Sequence, residues 1–357
     1  MSGRIEYYSY STLQMVKCKR LIDLRRKYKV EPIRYTRLCA RIIGKLFHTG
    51  LKAMYEESLK EYNMDSLIDD SILQAGIKAI NEESDMYRKT VVADEESDPL
   101  KFKRQMDIDF GIPIVMLKGY YKHIFMKERF EVVYPEQKII VRVVTPSGRK
   151  SPVMRYRLVI DKIIRNTVGD NYLYLDEVKT AARWGVREDR YLAIDEQTTS
   201  YMWACKQAGL DIAGVSYTVC LKPTSFPNLT DEAKKKKAAM KKEGIEYKYT
   251  INDYETPQEY LARIEIEYLN DPGRFIRKTY YRTPQQIDEF EKELYRKCIH
   301  FKNLEKMGTF KNTSVWECPD CDGYDFCKNG GSEESLMRWY TERASNAWDE
   351  ENIITDY

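Results

Sequence analysis

An α/β fold, a mixed β-sheet flanked by helices, is what this 357-residue sequence predicts. Three observations carry the prediction. Residues 155–180, RYRLVIDKIIRNTVGDNYLYLDEVKT, read as a β-hairpin: 157–165 is β-branched and apolar, Gly169-Asp170 signals a turn, and 172–180 returns. Other β-branched runs stand at 130–134, 138–144 and 214–221. Segments with apolar residues at helical spacing precede and follow them, notably 37–60 and 195–209.

In chain order, residues 7–28 predict a helix capped by Ser9 or Ser11, with Leu13, Val16, Leu21 and Leu24 as its stripe and Cys18 inside it. Residues 37–60 form a second helix carrying His48, one of three histidines. Alone, such a His is more often structural than a ligand. Residues 61–100 read as mixed helix and acidic loop, with 81–99 polar and exposed or flexible. Residues 112–129 continue as helix. Strands 130–134 and 138–144 are divided by Pro135, and Pro146-Ser147-Gly148 makes a turn.

After the hairpin, 195–209 is a helix and 214–221 a strand, with Cys205 and Cys220 as core thiols. Residues 231–244, DEAKKKKAAMKKEG, form a helix with six lysines, Lys235 and Lys236 among them. Such a run is usually a solvated face; it also suits a DNA backbone, with salt-sensitive binding. Helices 258–269 and 283–305 bracket a basic-aromatic strand, 274–282. The expected organisation is an N-terminal helical part (1–50), a helical insertion (51–129), a sheet core (130–225) and a C-terminal helical region (226–357).

Composition narrows the function classes. Lys plus Arg exceed Asp plus Glu by 59 to 56, so global charge does not announce a nucleic-acid binder. Tyrosine, at 28, supplies rings for base stacking. No 18-residue apolar run and no apolar leader are present, so neither a membrane span nor secretion is expected, and the cytoplasm is the expected place. Eight cysteines without a leader point to reduced thiols or a metal site. No phosphate-binding G-x-x-x-x-G-K-[ST] motif occurs, so no ATP-driven motor is expected.

The chemistry gathers on the hairpin. Side chains alternate along a strand, so Glu177 and Lys179 share a face with Leu173 and Leu175, while Asp176 and Val178 take the other. Folding about the turn brings Asp161 opposite Asp176 and Glu177. Charges on an otherwise apolar strand pair are unfavourable unless paired or metal-bound, and neighbouring carboxylates repel. A hard divalent cation resolves both problems. A Glu–Lys cross-pair on a half-exposed hairpin is an equally simple reading of these residues alone.

Asp161 followed by Glu177-x-Lys179 resembles the core of the PD-(D/E)XK nucleases, with Ile160 where that pattern has Pro. Gly44-x-x-x-His48 and Gln197-x-x-x-Tyr201 resemble the flanking motifs of the RecB-type branch. Cys18 with Cys318-x2-Cys321-x5-Cys327 resembles the iron–sulfur staple of AddB-type and CRISPR-associated RecB-type nucleases.

The resemblance implies a restriction-endonuclease-like core whose N- and C-terminal helical segments are joined by a [4Fe–4S] cluster, which four thiolates suit, with a structural zinc ion as the alternative. It implies Mg²⁺ or Mn²⁺ held by Asp161, Glu177, His48 and the Val178 carbonyl. Lys179 would assist the attacking water, and Gln197 and Tyr201 would bind DNA and brace the strand. The activity implied is exonucleolytic, on DNA ends and single strands, with 5′→3′ polarity. Read from the residues alone, Arg183 and Trp184 are placed to meet a phosphate and a base, or else are a surface-loop residue and a core aromatic. A helicase, recombinase or single-strand-binding protein is an expected partner. A non-catalytic end-binding subunit and a structure- or sequence-specific endonuclease are the alternatives.

Overall fold

A computed structural model describes residues 5–32, 40–61, 70–90, 98–127, 130–167, 169–308, 310–314, 317–342 and 353–356. Expectations at residues 37–39, 62–69, 91–97, 128–129, Val168, Trp316 and 343–352 lie outside the described residues. The chain opens with strand β1 (Glu6–Tyr8) and the short helices α1 (Tyr10–Gln14) and α2 (Lys19–Ile22), then strand β2 (Val30–Pro32). Helices α3 (Ala40–Glu61), α4 (Ser71–Thr90) and α5 (Pro99–His123) follow. Next come β3 (Phe130–Val144), β4 (Lys150–Asn166), β5 (Leu173–Ala181), α6 (Val186–Leu192), α7 (Glu196–Gln207) and β6 (Ile212–Leu221). The remainder is α8 (Asp231–Lys242), α9 (Pro257–Asn270), β7 (Phe275–Tyr280), α10 (Pro284–Lys306), α11 (Tyr324–Lys328), α12 (Glu333–Trp339), β8 (Tyr340–Glu342) and β9 (Ile353–Thr355).

Among the described residues, seven strands form one mixed sheet in the order β7-β6-β5-β4-β3-β9, with β1 also paired to β4. The expected hairpin is its centre. β4 and β5 pair antiparallel from Lys162↔Asp176 to Arg165↔Leu173. Asp170 holds the turn, accepting from the Tyr172 N–H, the Asn166 amide and the Tyr174 hydroxyl. Parallel pairing of β5 with β6 demands a crossover, which α6 and α7 provide.

Helices cover both faces. One layer packs Trp203, Phe290 and Phe301 against Tyr156, Leu175 and Tyr217 of the sheet. The other packs Phe47, Met116, Tyr120 and Tyr268 against Val178, Cys220 and Phe275. The expected helical insertion at 51–129 therefore supplies much of one core layer, through Met54, Tyr55 and the α5 face Ile108–Tyr120. A third, small core of Leu24, Phe326 and Tyr340 sits where the chain's two ends meet.

Several expected elements take a different form. The helix expected at 7–28 is broken: Tyr8 is buried in β1, and Cys18 is extended, with φ −146° and ψ 113°, between two short helices. Pairing with β4 outcompetes helix propensity at its start. Ser9 does cap α1, accepting from the Thr12 N–H. The polar stretch from Asn81 to Thr90 is helical, the second half of α4. The two strands around Pro135 are one strand, whose ladder shifts register between Val132 and Tyr134. The C-terminal region is not wholly helical, since β8 pairs with β2 and β9 adds a parallel edge to β3. Buried Asp356 holds that edge through Lys150 at 2.9 Å and Arg142 at 3.5 Å.

Candidate active site

Three elements bring the chemistry together. Asp161 lies on β4 just beyond the last β4–β5 bridge, where the two strands part. Its Oδ2 accepts a hydrogen bond from the Val178 N–H at 3.0 Å, and His48 Nδ1 of α3 stands 3.5 Å from the same oxygen. Gly44 brings α3 close to β5: a Cβ there would stand 3.0 Å from Thr180 Oγ1, next to Lys179. The spacing Gly44-x-x-x-His48 thus has a local cause, one helical turn between the close approach and the imidazole.

Glu177 is buried at 2 % exposure. Its Oε1 receives the Lys179 ammonium, and its Oε2 is buried with no hydrogen-bond partner among the described residues. Burial first, and then the charge of Asp161, push the Glu177 carboxyl up to about 7. Burial opposes ionisation of Asp161 as well, but His48 and Lys179 together hold it low, at about 2. Burial also works against the charged forms of His48 and Lys179, yet both are raised, because the carboxylates outweigh it. One acid is thereby kept ionised beside a second that ionises reluctantly.

α7 closes the site on the other side. Asp195 caps it through the Thr198 N–H, and buried Arg282 ties the preceding turn down through the Leu192 and Asp195 carbonyls. Gln197 then donates to the Tyr201 hydroxyl at 2.6 Å, as their four-residue spacing requires. Burial, followed by the charge on Glu177, holds the Tyr201 phenol well above its ordinary range. Gln197 and Tyr201 also line one end of a cavity of about 560 Å³, with Tyr10, Arg25 and Arg157. Sequence reading passed over Arg157, although its place four residues before Asp161 puts both on one strand face.

A hard divalent cation suits the donors present. It would satisfy the orphaned Glu177 Oε2 and relieve the repulsion between two carboxylates. Among the described residues, no three His, Cys, Asp or Glu side chains converge tightly enough to hold an ion without adjustment.

The remaining candidates are dispersed. Arg183 is exposed, with Glu188 at 3.7 Å, and Trp184 is half-buried against the core instead of standing clear as a stacking platform. Lys235 and Lys236 lie exposed on α8. Cys205 and Cys220 are buried thiols, as read from the sequence. Cys18, Cys318, Cys321 and Cys327 share the junction of the chain's ends. Burial chiefly raises the Cys321 thiol, and Cys18 and Cys318 lie near enough to add to the effect. Backbone N–H groups of Ser314 and Gly323 point at Cys318 and Cys321 sulfurs, and the Arg20 guanidinium lies 3.7 Å from that of Cys327. The four do not form a closed ligand set as they stand. Contacts that do join the ends include the β2–β8 pairing, the Leu24–Phe326–Tyr340 core, the Arg25–Asp322 ion pair and the Arg26–Glu305 pair at 2.9 Å.

An acid pair with an adjacent lysine stands where two central strands of a mixed sheet part. The chain belongs to the PD-(D/E)XK nuclease superfamily, whose family model matches residues 8–328. No curated protein matches it. Among solved structures, the crystal structure of SSO0001 is similar at 11% identity and a TM-score of 0.33, covering 90% of this chain and 86% of that one. No helix among the described residues is long and apolar enough to cross a membrane.

Proposed function

We propose that the protein is a metal-dependent DNA exonuclease that works inward from DNA ends, on single strands and with 5′→3′ polarity. The observation that carries the metal-dependent reading is the Oε2 of Glu177, which is buried beside Asp161 and has no hydrogen-bond partner among the described residues. Asp161, Glu177, His48 and the Val178 carbonyl would hold Mg²⁺ or Mn²⁺. When bound, such a cation acidifies water and neutralises charge on the scissile phosphate. Lys179 keeps its proton and holds the attacking water or the developing phosphate charge. Tyr201, bound by Gln197, braces the β5 face that carries Glu177. Arg183, Trp184, Lys235 and Lys236 would meet the nucleic acid. Cys18, Cys318, Cys321 and Cys327 would hold a structural [4Fe–4S] cluster, or zinc in its place, after local closure of the junction. A helicase, recombinase or single-strand-binding protein would supply the DNA end.

The test follows 5′- and 3′-labelled single- and double-stranded DNA with Mg²⁺ or Mn²⁺, for wild type and Lys179→Ala. Metal-dependent shortening is expected from wild type, with the rate reduced about 10²–10³-fold in the variant. Defined fragments from a circular substrate would replace the exonuclease reading with an endonuclease. Folded, iron-loaded protein that binds ends without cutting would favour an end-binding subunit.

A further inference from the structure

Behind the site lies a cluster of buried charges that the proposed chemistry does not use. Lys162 and Asp176 face each other in the β4–β5 ladder, and their side chains are 3% and 0% exposed. Lys162 Nζ stands 2.8 Å from Asp176 Oδ2. Arg277 of β7 reaches across β6 to Asp176 Oδ1 at 3.0 Å, and its Nε donates to Ser216 Oγ of β6 at 3.0 Å. Ser216 is itself the ladder partner of Asp176. One carboxylate therefore ties together β4, β5, β6 and β7.

The cluster also reaches the helix that carries His48. Lys162 Nζ lies 3.6 Å from the Tyr55 ring centroid and 3.3 Å from the Tyr120 hydroxyl, and the two tyrosine hydroxyls bond at 2.9 Å. Tyr55 follows His48 by seven residues, two turns along the same face of α3. Lys162 adjoins Asp161, and Asp176 adjoins Glu177. Each of the three side chains assigned to the cation is thus one covalent step, or two helical turns, from this cluster.

Buried ion pairs contribute little net stability compared with apolar packing, but a misaligned one leaves unpaired charges in the core. A strand slipped by one residue would turn Glu177 to the opposite face and strand both Lys162 and Arg277. We infer that Lys162, Asp176 and Arg277 are positioning residues that set the register of β4 against β5 and their distance from α3, so that His48, Asp161 and Glu177 converge on one cation. The inference rests on the nuclease reading of that site.

The test compares wild type, Lys162→Met, Lys162→Arg and the apolar pair Lys162→Met/Asp176→Leu. Three quantities are read: thermal unfolding, Mn²⁺ binding by titration without DNA, and kcat and KM on labelled oligonucleotide. The apolar pair should unfold cooperatively near the wild-type temperature, yet bind Mn²⁺ at least tenfold more weakly. Its kcat should fall at least tenfold, with KM changed less than threefold. Lys162→Arg should recover most of the loss seen in Lys162→Met. An apolar pair that binds Mn²⁺ and turns over like wild type overturns the inference. If that pair does not fold, Arg277→Met, on the half-exposed limb of the cluster, takes its place: a threefold or greater rise in the Mn²⁺ constant supports the inference and an unchanged constant refutes it. Wild type that binds Mn²⁺ but cuts no DNA overturns the nuclease reading and leaves the positioning result to the titration.

Discussion

Glu177 holds one carboxylate oxygen against Lys179 and the other in a buried position without a hydrogen-bond partner among the described residues. Asp161 holds the Val178 N–H and faces His48. Removing either acid has different consequences from removing a surface charge. Asp161→Ala should abolish metal-dependent cleavage and leave DNA affinity within a few-fold of wild type, measured by filter binding beside a cleavage assay. Loss of binding alone would give Asp161 another role. At this scale much was legible: Asp161, Glu177 and Lys179 stand out because carboxylates interrupt apolar strands. Arg157, Asp195 and Arg282 were not, because an Arg or Asp beside a strand or helix end is ordinary until its partners are known.

Helix α3 shows how an element positions a residue. Gly50 and Gly76 let α3 and α4 approach so closely that a Cβ on Gly76 would stand 2.8 Å from the Gly50 carbonyl and 2.7 Å from Leu117. Alanine normally gains about 1 kcal/mol over glycine inside a helix. Here the clash wins, because backbone cannot rotate away. Gly76→Ala should cost about 1–3 kcal/mol, read as a lower denaturant midpoint. It should also weaken cleavage, because His48 lies two residues before Gly50. Cys18 belongs to this scale too, since it breaks a stretch that periodicity reads as one helix. Cys18→Ala should lower stability and metal content more than the turnover of the remaining folded protein. Iron-free wild type that is folded and active would falsify the cluster.

For the whole molecule, the helical layer of α3, α4, α5 and α9 makes one core with the sheet. Asp109 of α5 is buried in that layer, with Gln105 at 2.8 Å, and burial pushes its carboxyl up to about 6 although Gln105 opposes this. The native state therefore binds this proton more tightly than the unfolded chain does. Its cost is absent below about pH 4, grows between pH 4 and 6, and is complete above. Asp109→Asn should match wild type near pH 4 and exceed it by about 1–3 kcal/mol at pH 8, by denaturant unfolding at both pH values. A variant no more stable at pH 8 would show that Asp109 is better solvated than its burial indicates.

The sequence by itself determined the central hairpin, the helices around it and the acid–lysine set, because all are written in local periodicity and turn chemistry. The Asp176 face of β5 was legible as opposite to the Glu177 face for the same reason. Tertiary structure alone decided that Tyr8 joins the sheet, that residues 353–355 cap its edge, and that Lys162, Asp176 and Arg277 meet behind the site. Those outcomes depend on pairing between residues as much as 215 positions apart, as from Lys138 to Ile353, and no local pattern encodes them.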